Sequence, residues 1–187
     1  MLDQRRSAVT IMTTVAATVV TFVVIGFLAV VTGMLPANAD ATPGALERLI
    51  AKRSLSVAIE RGSRGEVDPL PADDSTLSRG VRLYGTHCAV CHGTSDEKAS
   101  SIALGLYQRP PQFAKHDVTD DPVEETYWKV THGIRLTGMP AYTQTLNANQ
   151  RWAIATFLKH QTELPPHADS VWRRLPSAAT DTGVVGG

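Results

Sequence analysis

The stretch His87-Cys88-Ala89-Val90-Cys91-His92 decides the fold that this sequence predicts. Its two cysteines are the only two in the 187 residues, and a histidine follows the second at once. A small domain held by disulfides needs more cysteines at longer spacings. A thioredoxin-like redox pair needs a βαβ context, which the surrounding pattern lacks. Zinc binding would have to recruit His87, His116 and His132, which do not form a standard ligand pattern.

The spacing C-x-x-C-H, formed here by Cys88, Cys91 and His92, is typical of covalent haem attachment. Two thiols about one helical turn apart on the same side can reach two vinyl groups of a porphyrin. The next residue then directs its imidazole at the iron. The sequence therefore predicts one covalent haem c, with His92 as an axial iron ligand, in an oxidising compartment outside the cytoplasm.

The second axial ligand is predicted to be Met139, in the segment Thr137-Gly138-Met139-Pro140. A methionine between glycine and proline lies on a loop of restricted backbone, where its thioether can be offered to iron. Two alternatives stay open at this stage. In the first, Met139 is a buried residue that only fills a gap in the core, as most methionines do. In the second, His132 is the axial ligand instead.

The N-terminal segment is predicted to cross a membrane. Ala8 to Leu35 carries no charged side chain, and a helix of about 20 apolar residues spans a bilayer. Arg5 and Arg6 precede it, which keeps the N-terminus in the cytoplasm. The alternative is a signal peptide cleaved after Ala37-Asn38-Ala39, although the apolar run is longer than is usual for one. Under both interpretations the rest of the chain is exported.

Four regions follow from composition: a cytoplasmic start and anchor (1–35), a connector (36–75), a folded domain (76–165) and a partly disordered tail (166–187). Lys and Arg together number 18, as do Asp and Glu, which argues against nucleic-acid binding through bulk charge.

Residues 93–119 are expected to be mainly loop. The predicted helices run from about 44 to 61, from a Ser75 cap to His87, from an Asp121 cap followed by Pro122 to His132, and from Asn147 or Asn149 to about Gln161, with Pro165-Pro166 as a stop.

A family resemblance rests on Gly80-x-x-Leu83-Tyr84-x-x-x-Cys88-x-x-Cys91-His92-Gly93, on Gly138-Met139-Pro140, and on a last helix rich in Trp and Phe. Over about residues 76–165 the chain resembles class I cytochrome c, of a membrane-anchored, monohaem bacterial type. This implies an all-α fold of three to four helices around the haem, preceded by one transmembrane helix.

The resemblance also implies particular contacts. The first and last helices of the domain would cross at Gly80, with Tyr84 packed near Trp152 or Phe157. A proline carbonyl, of Pro110 or Pro111, would accept a hydrogen bond from Nδ1 of His92. Further candidates to line the pocket or reach the haem propionates are Arg109, Arg135, Tyr127 and Trp128; the alternative is that the arginines are solvated and the aromatic residues belong to the core.

The implied function is one-electron transfer at the periplasmic face of a bacterial inner membrane, between a dehydrogenase or respiratory complex and an acceptor. Such a protein is an electron carrier rather than an enzyme, either free or within an oxidoreductase complex. Its expected partners are membrane-bound or periplasmic redox proteins, and the bilayer itself through residues 8–35. Two alternatives are a haem sensor or enzyme with a labile sixth ligand, and a haem-bearing structural subunit.

Overall fold

The computed structural model describes residues 2–116 and 118–180, and within them the chain is helical and contains no strand. The all-α prediction is therefore confirmed. The end of the predicted disordered tail, residues 181–187, lies outside the described residues. The helices are α1 (Leu2–Val31), α2 (Ala45–Gly62), α3 (Asp74–His87), α4 (Ala89–His92), α5 (Ser101–Gly105), α6 (Val123–His132), α7 (Ala148–Lys159) and α8 (Pro166–Arg173), followed by a 3₁₀ turn at Ala178–Thr180.

The chain divides into two compact units, residues 1–41 and 42–187. The first unit contains α1, in which Arg6–Val31 is long and apolar enough to cross a membrane; a signal sequence has the same properties. The threonines of this helix satisfy their own hydroxyl groups. Thr14 and Thr18, for example, each donate to the carbonyl four residues earlier at 2.9 Å. Such bonds leave no unpaired hydroxyl along the helix at these positions, as an apolar environment requires.

The second unit is organised by the crossing of α3 and α7. At Gly80 the two helices approach so closely that a side-chain Cβ would meet the carbonyl oxygen of Ala153 and lie 2.7 Å from Cβ of Phe157. Tyr84, one turn further along α3, is fully buried and meets Phe157 edge to face, with ring centroids 5.4 Å apart. The crossing is thus the one that the family resemblance implied. Of the two predicted neighbours of Tyr84, Trp152 and Phe157, it is Phe157 that Tyr84 packs against.

The segment after Pro165 differs from the sequence prediction. Residues 166–173 were assigned to the tail, but they form α8, with Pro166 in its first turn. Proline is favoured there because the first turn of a helix does not use its N–H groups. Trp172 is only 7% exposed and contacts Tyr84 edge to face at 5.5 Å. Because α8 completes the core beside α3, the folded domain extends beyond residue 165.

Two predicted helix caps are also wrong. α3 is capped by Asp73, whose Oδ1 accepts from the backbone N–H of Thr76 at 2.8 Å, rather than by Ser75. α6 has no side-chain cap. Asp121 lies before the helix and pairs instead with Lys129 inside it, with 2.7 Å between Oδ2 and Nζ. Both differences arise because several polar residues precede each helix, and tertiary contacts decide which of them faces the free N–H groups.

The remaining elements agree more closely with the prediction. Asn147 caps α7, accepting from the N–H of Gln150, whose side chain accepts from the N–H of Asn147 in return. The region 93–119 is mainly loop, as expected, but it contains the short helix α5, which Ser100 caps. The loop after α6 and the segment after α5 line a cleft in the second unit.

Candidate haem site

A cleft of about 190 Å³ lies in the second unit, between α4, the end of α6 and the loops that follow α5 and α6. Most of its walls are carbon. Seven residues singled out from the sequence line it, namely Cys88, Cys91, His92, Arg109, Pro110, Pro111 and Met139.

The two cysteines are held on one helical turn. The N–H groups of Cys91 and His92 both bond to the carbonyl oxygen of Cys88, at 3.0 and 2.9 Å, which closes the single turn of α4. Cys88 and Cys91 are unpaired thiols. Burial, with Cys91 as a second cause, raises the pKa of Cys88 to about 12, and burial also raises the pKa of Cys91. Reactive redox cysteines have a lowered pKa, so the structure does not favour a thioredoxin-like pair.

The imidazole of His92 is fixed from one side. Its Nδ1 lies 2.9 Å from the carbonyl oxygen of Pro111. A carbonyl can only accept, so Nδ1 carries the proton and donates, and Nε2 is left with the free lone pair. Burial lowers the pKa of His92, against the opposing effect of the Pro111 bond, and so keeps the ring neutral. A neutral imidazole with a free Nε2 is the form that binds a metal.

Phe113 supports the same ring from another direction. It stacks on His92 with ring centroids 4.3 Å apart and an angle of 6° between the planes. Its backbone N–H also bonds to the carbonyl oxygen of His92 at 3.1 Å. Sequence analysis did not identify Phe113. The available signal was its position two residues after Pro111.

Met139 lies on a loop that turns back against the end of α6. Gly133, directly after α6, has φ of +65°, and a Cβ there would lie 2.6 Å from the carbonyl oxygen of Met139. The N–H of Ile134 bonds to that carbonyl at 3.2 Å, and the N–H of Met139 bonds to Oγ1 of Thr137 at 3.1 Å. The backbone on both sides of Met139 is therefore tied down, while its partly buried side chain lines the cleft.

Of the other residues that were predicted to line the pocket or reach the propionates, only some lie at the cleft. Arg109 and Pro110 line the cleft. Tyr127 instead stacks on Trp152 at 3.9 Å in a separate apolar cluster, and Trp128 packs beside Gly62 of α2. The face of α6 that carries these two rings is turned away from the cleft, which Val130 lines instead. Arg135 is exposed.

The alternative ligands find less support. His132 is exposed, and its ring lies 5.0 Å from that of Trp128. Within residues 2–116 and 118–180, no group of three or more His, Cys, Asp or Glu side chains is arranged to hold a metal ion. This argues against the zinc interpretation of the cysteine pair. The cleft lining also includes His87 and Tyr142, neither of which was predicted as part of the site.

The donor set of the cleft fits haem c. Two unpaired thiols on one turn, a neutral imidazole with Nε2 free and a thioether share walls that are otherwise apolar. These are the groups that attach and ligate a c-type haem. These residues together form a candidate site for haem c.

The comparison with known families agrees. Residues 75–158, a little less than half of the chain, match the family model described as cytochrome C oxidase, cbb3-type, subunit III. A cytochrome c domain is thus present, and its cofactor is covalently bound haem c. The match supports haem-based electron transfer, on its own or within an oxidase. No curated protein matched the sequence.

Proposed function

We propose that this protein is a membrane-anchored, monohaem, class I cytochrome c that transfers single electrons on the periplasmic side of a bacterial inner membrane. The observation that carries the proposal is that Cys88, Cys91, His92 and Met139 line one cleft, although Met139 comes from a separate part of the chain. The first three lie at α4, and the fourth lies on the loop after α6.

Each of these residues has a role in the proposal. Cys88 and Cys91 would hold the haem by thioether bonds, and Nε2 of His92 and the thioether of Met139 would ligate its iron. When bound, the haem supplies a one-electron couple between Fe(III) and Fe(II). The soft thioether favours Fe(II) and so raises the reduction potential. With both axial positions filled by the protein, small molecules such as oxygen are kept from the iron, and the site carries electrons without bond chemistry.

Arg109 is the candidate for the haem propionates. It is the arginine among the residues that line the cleft, and its side chain is exposed. A guanidinium at the rim would neutralise a propionate without being buried itself. Pro111, through its carbonyl oxygen, would orient His92 and make the imidazole a stronger electron donor.

The membrane anchor and the partners are part of the same proposal. The apolar helix Arg6–Val31, with arginines at its N-terminal end, is compatible with a single retained span and an exported C-terminal unit. Such an anchor would confine the search for a redox partner to the membrane surface and raise its effective concentration. The matched family, a subunit of a cytochrome oxidase, supports a place in an oxidase complex, so a membrane-bound respiratory complex is the favoured partner.

The first test is a visible spectrum of the purified full-length protein, reduced with dithionite, with and without carbon monoxide. We expect a sharp c-type spectrum that the gas leaves unchanged, and one haem per chain. A spectrum that shifts would mean a vacant or labile axial position, and would favour a sensor or enzyme. Membrane extraction at high pH tests the anchor: a retained span keeps the protein in the membrane pellet, whereas a cleaved signal releases it.

A further inference from the structure

We propose that Gln112 is a positioning residue that holds the carbonyl group of Pro111 against His92 and thereby lowers the reduction potential of the haem. The inference rests on the proposed function, because it requires an iron bound to His92. Gln112 does not line the cleft. It acts through Cys91, Pro110 and Pro111.

The first observation is that one side-chain amide joins the two segments around His92. Nε2 of Gln112 donates to the carbonyl oxygen of Cys91 at 2.9 Å and to that of Pro110 at 3.2 Å. Cys91 precedes His92, and Pro110 precedes Pro111. The amide therefore connects the residue before the imidazole with the residue before its hydrogen-bond acceptor.

The second observation is that the proline pair has no means of making this connection itself. Pro110 and Pro111 lack backbone N–H groups, so neither can donate to the carbonyl groups of α4. The backbone N–H of Phe113, two residues after Pro111, is already used by the carbonyl oxygen of His92 at 3.1 Å. The side chain of Gln112 supplies the donors that two consecutive prolines remove.

The third observation is that the side chain of Gln112 carries an energetic cost. Its Oε1 is buried and has no hydrogen-bond partner among the residues that the structure describes. A Cβ at Gly93, where φ is +78°, would lie 2.7 Å from this oxygen. An apolar side chain of similar length would fill the same space without burying an unpaired oxygen. The two hydrogen bonds of Nε2 are the compensation that the structure offers.

The electronic consequence has a definite sign. A hydrogen bond from Nδ1 of His92 to the Pro111 carbonyl makes the imidazole a stronger electron donor. A stronger donor stabilises Fe(III) relative to Fe(II), which lowers the reduction potential. If Gln112 no longer holds Pro110, the Pro111 carbonyl gains freedom, the bond weakens and the potential rises.

The test uses the full-length haem protein and the variant Gln112→Met, which keeps the length of the side chain and removes its donors. Two quantities are measured: the reduction potential, and the rate at which the Nδ1 proton of His92 exchanges with deuterium, followed by NMR in the reduced state. We expect a higher potential and faster exchange at an unchanged content of covalent haem. Gln144→Leu, at an exposed glutamine, is the control and should change neither quantity.

A second variant covers the case in which Gln112→Met does not fold. Gln112→Glu keeps the shape, but its carboxylate cannot donate at neutral pH, so exchange of the His92 proton should again be faster. Unchanged exchange and potential in a folded variant would overturn the role of Gln112. If the wild-type protein itself shifts its spectrum with carbon monoxide, the proposed function fails instead, so the two failures are distinguishable.

Discussion

The hydroxyl group of Tyr142 donates a hydrogen bond to the carbonyl oxygen of His87 across 2.7 Å. His87 ends α3 directly before Cys88, and Tyr142 follows Met139 by three residues. The N–H of Tyr142 also bonds to the carbonyl oxygen of Val130 in α6, at 3.2 Å. One side chain thus ties the loop that carries Met139 to the helix that leads into the haem-attachment motif.

Replacement of Tyr142 by phenylalanine should lower the free energy of unfolding by about 0.5–1.5 kcal/mol, the usual net value of one hydrogen bond. The measurement is urea unfolding of the full-length protein in detergent at pH 8. Tyr107→Phe is the matched control, because its hydroxyl bonds to Glu47 at an exposed position. A Tyr142→Phe variant as stable as the wild type would show that this hydrogen bond does not contribute to stability.

The same tyrosine should make stability depend on pH in the alkaline range. Burial is the main cause that raises the pKa of Tyr142 from 10.0 to about 12. A group whose folded pKa is raised stabilises the fold below its unfolded pKa and loses that contribution as the pH rises through the folded value. The contribution is therefore lost between pH 10 and about 12. Unfolding curves across this range should show a smaller loss of stability in Tyr142→Phe than in the wild type.

Replacement of Met139 by alanine should open the iron to carbon monoxide and lower the reduction potential. The fall should be on the order of tenths of a volt, since the identity of the axial ligands moves haem potentials over about 0.8 V. The reduced visible spectrum and a potentiometric titration measure the two effects. Met34→Ala, at an exposed methionine of the first unit, is the control. If neither quantity changes in Met139→Ala, Met139 is not an axial ligand.

Replacement of His92 by alanine should leave the haem covalently attached and badly ligated, because the two cysteines hold the porphyrin independently of the iron. Haem staining after denaturing electrophoresis reports attachment, and the visible spectrum reports ligation. His167→Ala, at an exposed histidine in the first turn of α8, should behave as the wild type. A normal low-spin spectrum in His92→Ala would contradict the proximal assignment.

Replacement of Gly80 by alanine should destabilise the domain by about 1–3 kcal/mol, the usual cost of overpacking. The added methyl group would meet the Ala153 carbonyl and Cβ of Phe157 in α7, so the two helices would have to move apart. Gly105→Ala, where a Cβ finds nothing within 4 Å, is the matched control. Equal unfolding midpoints for the two variants would contradict the close crossing of α3 and α7.

Replacement of Trp172 by alanine should cost about 3–5 kcal/mol, as removal of a large buried aromatic side chain usually does. Its ring contacts Tyr84 and Phe157, at 5.5 and 5.4 Å between centroids. The neighbouring substitution Arg173→Ala removes only an exposed pair with Asp169 and should change stability by less than about 1 kcal/mol. A stable Trp172→Ala variant would show that α8 does not belong to the core.

The features that could be predicted from the sequence are those that depend on neighbouring residues. Cys88, Cys91 and His92 lie on one turn because hydrogen bonds within that turn hold them there. The α3 and α7 helices were recognised from the spacing of their apolar residues, and the close approach at Gly80 was implied by the family resemblance. A helix of apolar residues near the N-terminus is likewise visible in composition alone.

Other features depended on contacts between distant residues and were beyond local patterns. Pro110 and Pro111 are equivalent in sequence, and only the fold brings the Pro111 carbonyl to His92. Tyr127 and Trp128 looked equally suited to the cleft until the orientation of α6 turned both away from it. Pro166 indicated a helix end, yet the space beside α3 allowed a new helix to begin there, because Trp172 has an apolar core to enter.

The sequence by itself determined the chemistry of this protein: covalent haem attachment depends on two thiols and an imidazole at fixed spacing, and short-range geometry is encoded locally. The tertiary structure alone decided how that chemistry is supported. The bonds from Tyr142 to His87 and from His92 to Pro111 join residues that are far apart in the chain, and such pairs form only when burial of the α3, α7 and α8 core brings their segments together.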